Sequence, residues 1–326
     1  MKGFVDLQVN GYGGVDFSAP DLDIEKVFSV VGALHRRGTI AFCPTVITSH
    51  SGVYESNLPV LARAMDDRNV GPHLLGIHLE GPFISPQDGA RGAHQGRHAR
   101  MPDITYFEHL RRLAENRISL VTLAPELAGA DALIQHIVEC GAAVSLGHHL
   151  AESSTVSQAC ELGATAATHL GNGLPNLLPR HPNPIWDQLD EARLQVMLIT
   201  DGHHLPDSFI RVVTRALGVQ RMIVVSDSAP IAGLPPGQYQ TLGQNVILEE
   251  TGRLWNPAED HLVGSSTCLM ECINDLARLQ LLEPEELWQV GYHNPLALIG
   301  KRLQTRWLTG FPDVVHQDGT FVLASD

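Results

Sequence analysis

Apolar residues recur along this chain in two alternating rhythms. Short runs that are apolar at nearly every position (FVDLQV, TIAFCPT, PHLLGIHLE, RISLVTLAPE, AAVSLGHH, TAATHL, RLQVMLITDG and RMIVVSDSAP) alternate with stretches whose apolar positions fall three and four apart. The first kind reads as strands buried on both faces, the second as amphipathic helices. From Ile24 to Arg37, for example, Val27, Val30, Val31 and Leu34 share one face, and Gly38 supplies a stop signal. Further helices are expected over 52–66, 103–116, 129–140, 151–162 and 206–217, then near 265–280, 283–291 and 293–300. About eight strands alternating with covering helices predict an α/β fold of the closed (β/α)8, TIM-type kind.

Two segments interrupt the rhythm. Stretches 81–102 and 170–186 are long and rich in Gly, Pro and His, and loops of that length are often lids or binding loops. No repeat, low-complexity tract or linker divides the chain, so one domain over 1–326 is expected. Within it, 228–263 reads as a hairpin-like insertion and 311–326 as a short C-terminal extension turning at Asp318-Gly319.

Composition changes the picture only by exclusion. Of the 326 residues, 44% are hydrophobic and 18% charged, a globular balance. A formal net charge of −14 disfavours nucleic acid or an anionic membrane as partner. The five cysteines show no zinc-finger spacing, and their odd number suits a reducing compartment. MKGFVDLQVNG lacks the pattern of a signal peptide, and no apolar run approaches the roughly 20 residues of a membrane span. A soluble, cytoplasmic protein is the expectation.

The chemistry sits where the apolar runs stop. Five of them end in a metal-binding or proton-transferring residue: Glu80, His148, His169, the pair His203 and His204, and Asp227. In a closed parallel barrel all strand ends open on one face, so these residues would converge. One carboxylate with two imidazoles makes a sound mononuclear zinc set that leaves a position for water. The pattern points to a metal-dependent hydrolase.

In order along the chain stand VDLQVNGYGGVDF, HLEGPF, GAH, TLAPE, LGHH, ATHLGN, ITDGHH, VVSDSAPIAG and LVGSS. Together they resemble the N-acetylglucosamine-6-phosphate deacetylases of the amidohydrolase superfamily. The resemblance implies hydrolysis of the acetamide of an N-acetylated amino sugar 6-phosphate, releasing acetate. It assigns Glu80, His148 and His169 as ligands of one divalent ion, with His149 a neighbouring competitor. Zinc suits that set, and iron, cobalt and manganese are alternatives. It makes Asp227 the acid/base and His94 the support of the carbonyl oxygen. Asn172, Gly173, His204 and Val263 would contact the sugar. Arg180 would hold the phosphate, by the family's habit across a homodimer interface. Where many amidohydrolases carry His-x-His for a second metal, this chain has Gln8 and Asn10, so that position is lost.

Three departures surround the substrate rather than the metal. The family's flanking small β-domain is expected to be absent or vestigial here. Gly171 replaces an aromatic residue, in a loop stiffened by His181, Pro182, Pro184 and Trp186, and QDGAR is inserted before Gly92. They leave open an unphosphorylated acetyl sugar or another small amide as substrate, and, from another class, a non-catalytic sugar-binding barrel.

Overall fold

A computed structural model describes residues 3–303 and 312–324. Eight parallel strands follow one another around a barrel: β1 Phe4–Val9, β2 Thr39–Ile47, β3 Ile77–Glu80, β4 Ile118–Leu123, β5 Ala143–Leu146, β6 Ala166–Ala167, β7 Gln195–Leu198 and β8 Met222–Val224. Helices α1 Ile24–His35, α2 Ser51–Ala64, α3 Ile104–Leu113, α4 Ala130–Glu139, α5 Ser153–Glu161, α6 Pro184–Asp190, α7 Asp207–Leu217 and α8 Leu269–Arg278 follow the strands. The expected TIM-type barrel is present.

Its seam closes through side chains more than through strand pairing. Between β8 and β1 there is one bridge, Val9 to Ser228, with Asn10 N–H donating to the Ser228 carbonyl at 3.0 Å. Below it the buried Asp6 carboxylate accepts from Ser226 Oγ at 2.5 Å and from the Ser226 N–H at 3.2 Å. Burial pushes that carboxyl up to about 7.

Strand alternation divides the core in two. On β7 and β8, Val196, Leu198, Met222 and Val224 pack outward with residues of the helices, whereas Met197, Ile199, Ile223 and Val225 pack with Val5, Leu7 and Leu120 inside the barrel. The same parity orients the site. On β3, Ile77 and Leu79 belong to the outer cluster, so His78 and Glu80 face inward. Truncating an inward residue such as Leu120 to Ala would cost about 2–5 kcal/mol.

Above the apolar plug lies a polar layer. His78 bonds Thr122 Oγ1 at 2.8 Å, Thr122 bonds Thr168 at 2.8 Å, and Thr168 bonds Ser145 at 2.6 Å. Each of these groups is buried and has a partner, so the layer forms a rigid floor under the strand ends.

Several elements differ from expectation. The 170–186 loop runs into helix α6, whose start is written in the chain: Asn183 Oδ1 accepts the Ile185 N–H, and Pro184 occupies the first turn. The 228–263 segment holds more than a hairpin: a four-stranded antiparallel sheet of β9 Gly237–Thr241, β10 Gln244–Leu248, β11 Leu254–Asn256 and β12 His261–Leu262. A small hairpin, Gly11–Tyr12 with Val15–Asp16, follows β1. The two helices expected near 283–291 and 293–300 run together through a wider turn at Gln289–His293. Of the 311–326 extension, β13 Val314–Gln317 and β14 Thr320–Leu323 pair as a hairpin, while 311, 325 and 326 lie outside the described residues. Among the described residues no helix is long and apolar enough to cross a membrane.

Candidate metal centre and active site

Glu80 ends β3, and His148 and His169 each stand two residues beyond their strands, β5 and β6. At that point the chain turns sharply: His148 has φ 54°, His169 31° and, after β8, Asp227 49°. The left-handed region costs a non-glycine residue roughly 1–3 kcal/mol and is seen where the surrounding fold imposes it. Here it swings three chemically competent side chains over the barrel mouth.

The three donors meet. Glu80 Oε1 lies 3.1 Å from His148 Nε2 and 3.0 Å from His169 Nε2, and the two imidazole nitrogens are 3.1 Å apart. Bonds of about 2.0–2.1 Å from zinc to nitrogen and oxygen at tetrahedral angles place ligand atoms about 3.3 Å from one another, so the set fits one divalent ion after opening by a few tenths of an ångström. The tautomers agree. The Ala90 carbonyl can only accept, so His148 Nδ1–H donates to it at 3.0 Å and the Nε2 lone pair is left facing its neighbours. Two imidazoles and a carboxylate aimed at one point repel unless a cation or proton sits there. His169 is raised by Glu80 although burial opposes it, and Glu80 is held well below the usual carboxylate range by the two imidazoles despite its burial.

His94 closes one side. Its Nε2 is 3.1 Å from His148 Nε2 and 3.7 Å from Glu80 Oε2, and burial followed by His148 lowers it to about 3, so it is neutral. Opposite, Asp227 is buried and raised to about 6, first by burial and then by the charge of Glu80.

Gln8 and Asn10 are not idle. Gln8 donates from Nε2 to Glu80 Oε1 at 2.8 Å, and Asn10 donates from Nδ2 to Asp227 Oδ1 at 2.7 Å. Amides placed there hold the two carboxylates, a use that the residue pattern alone does not disclose.

All these groups except Gln8 line one cavity of about 880 Å³, within the range of small-molecule sites. Asn172, Gly173 and His204 are on its wall. Gly173 is backed against the metal set: a Cβ there would lie 2.8 Å from His148 Nδ1 and 3.3 Å from His169 Cε1. His204 is fixed by Asp201, which sequence reasoning missed. Asp201 Oδ2 accepts from His204 Nδ1 at 2.8 Å, and although burial opposes it, the His204 charge and hydrogen bonds carry Asp201 down to about 2. The i,i+3 spacing in DGHH was the available signal.

Other expected residues lie elsewhere. His149 is buried with Nδ1 accepting the Ala151 N–H at 3.0 Å, which turns it from the cluster and removes it as a competing ligand. His203 reaches the Thr251 carbonyl, at 3.1 Å, in the turn between β10 and β11. Val263 is wholly buried in the apolar cluster under that sheet, while its neighbours Leu262 and Gly264 form the cavity wall. Arg180 is exposed and off the wall of its own cavity. Arg91 and Arg253, with His261, are on that wall instead, basic side chains not singled out in the sequence.

No family model matches the chain. It is 32% identical to N-acetylglucosamine-6-phosphate deacetylase of Bos taurus over 91% of its own length and 74% of that protein's. It is 34% identical to N-acetylgalactosamine-6-phosphate deacetylase of Shewanella sp. (strain ANA-3), over 76% of this chain and 61% of that one. The crystal structure of N-acetyl-D-glucosamine-6-phosphate deacetylase from Mycobacterium smegmatis superposes with a TM-score of 0.84 at 27% identity, covering 93% of this chain and 79% of the other.

Proposed function

Because this chain belongs to the N-acetylglucosamine-6-phosphate deacetylase family of the amidohydrolase superfamily, we propose that it hydrolyses the acetamide of N-acetylglucosamine 6-phosphate to the amino sugar phosphate and acetate. The observation that carries the reading is the convergence of Glu80, His148 and His169 on one point of a cavity that also holds Asp227.

A divalent ion held by Glu80, His148 and His169, zinc by preference, would lower the pKa of water from about 15.7 toward 7 and polarise the carbonyl. The rest falls to this chain's own residues. Asp227 Oδ accepts the proton of the attacking water and returns it to the departing nitrogen, a contribution of roughly 10²–10⁴. His94, neutral in its buried place, offers a ring N–H to the carbonyl oxygen as charge gathers there. Asn10 and Gln8 keep the two carboxylates from drifting. Asn172, Gly173, His204 and the backbone around Val263 bind the sugar. Arg180 is supplied to the phosphate by a second copy of the chain, which fits its exposure and its absence from its own cavity wall.

A second reading is the galacto epimer, supported by the 34% identity to an N-acetylgalactosamine-6-phosphate deacetylase. Metal-loaded protein is incubated with both acetylated sugar phosphates and both unphosphorylated sugars, and acetate is measured. Acetate from the phosphorylated gluco sugar above the others is the expected result. Turnover of an unphosphorylated sugar at equal rate would shift the substrate class, and acetate from none would leave only a sugar-binding barrel.

A further inference from the structure

We propose that Glu108, His136 and Cys140 form a second cation site, on the outer helical ring between α3 and α4, for a borderline-soft divalent ion such as zinc. Among the described residues these three and the catalytic set are the two groups of such donors whose ligand atoms all lie within 4.8 Å of one another. Glu108 Oε1 is 2.8 Å from His136 Nε2, and Cys140 Sγ is 3.6 Å from that oxygen and 3.7 Å from that nitrogen. Tetrahedral zinc, with bonds of about 2.3 Å to sulfur and 2.0–2.1 Å to nitrogen and oxygen, requires separations of about 3.3–3.6 Å. The sulfur is within about 0.1 Å of that spacing, and the 2.8 Å carboxylate–imidazole pair would open by about half an ångström to take the ion.

The surroundings are those of a ligand set. Arg111 grips the Glu108 carboxylate through Nε to Oε1 at 2.8 Å and Nη2 to Oε2 at 3.0 Å, the outer hydrogen bonding that orients ligating carboxylates. The His136 ring stands edge-on to buried Phe107, with centroids 6.0 Å apart. His136 and Cys140 are one turn apart where α4 ends, and a helix C-terminus favours a cation. Glu108 and His136 side chains are 26% and 28% exposed, which leaves a path for entry. On binding, the thiol proton passes to solvent and the thiolate becomes a ligand. The ion would clamp α3 to α4.

Metal-free protein is titrated with cobalt(II). The catalytic donors include no sulfur, so a thiolate-to-cobalt absorption band reports the second site alone. Two equivalents with that band are expected. Cys140→Ser should lose the band and bind one equivalent, and His136→Asn, which keeps the thiol, should weaken the band's titration at least tenfold. Glu80→Gln should keep the band, which separates this site from the catalytic reading. A single equivalent without the band in the wild type, or a band surviving Cys140→Ser, would reduce the cluster to an ion-pair network and overturn the proposal.

Discussion

Asn10, just past the first barrel strand, donates its Nδ2–H to Oδ1 of Asp227, just past the last, across 2.7 Å. The bond spans the one seam of the barrel that lacks continuous strand pairing, and it fixes the carboxylate that the proposed mechanism uses to move the proton. Removing it should act on the chemical step. Asn10→Ala is expected to lower kcat about 10–100-fold, the usual scale for groups that orient a site, with KM and metal content near wild type. A matched loss of metal would instead make Asn10 a structural residue.

In the proposed mechanism Asp227 must be ionised to accept a proton. Burial and Glu80 raise it to about 6, and a bound cation would offset the Glu80 charge, so activity should fall as pH drops through about 6 or somewhat below. In Asn10→Asp an added negative charge faces Asp227, and the acidic limb of the pH–rate profile should move to higher pH.

Gly173 has φ 62° and lies against both metal histidines. A methyl group there must displace His148 or move the loop. Gly173→Ala should therefore lower metal affinity about tenfold or more, seen as a right-shifted zinc titration, even though no ligand is changed. Unaltered affinity with raised KM would assign the residue to the sugar alone.

Asp6 makes stability depend on pH at the seam. Its carboxyl is raised to about 7 in the fold from an ordinary 3.8, so between those limits the folded chain holds a proton the unfolded chain has lost. The contribution is fully present below about 4 and declines as pH rises through 7, by roughly 4 kcal/mol at most. Urea midpoints of wild type relative to Asp6→Asn should fall between pH 4.5 and 7.5. A constant difference would mean that Asp6 is already ionised at the lower pH.

Arg180 is exposed, near Leu177 at 92% and Trp186 at 50% exposure. If a second copy lends it to the phosphate, Arg180→Ala should raise KM about 10–100-fold for a phosphorylated sugar and leave an unphosphorylated one unchanged. Equal effects on both sugars would remove the phosphate role.

The barrel was legible because buried parallel strands and amphipathic helices write different periods into a chain. Glu80, His148 and His169 were legible because each interrupts an apolar run at the barrel mouth. What stayed hidden was local or relational. Strand β6 keeps two residues because the chain turns toward His169 at once, and α6 was masked by prolines that in fact begin it. Gln8 and Asn10 could be read as a vacant metal position, but their bonds to Glu80 and Asp227 join residues 72 and 217 positions apart. The grip of Asp201 on His204 needed only an i,i+3 spacing, yet two adjacent histidines drew attention from the carboxylate.

The central claim is one ion between Glu80, His148 and His169 on which acetamide cleavage depends. Metal-free protein carrying Cys140→Ser, which confines binding to this centre, is titrated with zinc while acetate release from N-acetylglucosamine 6-phosphate is followed. Activity should rise from background to a plateau at one equivalent. Full turnover before any zinc is added, or a plateau only at two equivalents, would contradict the account.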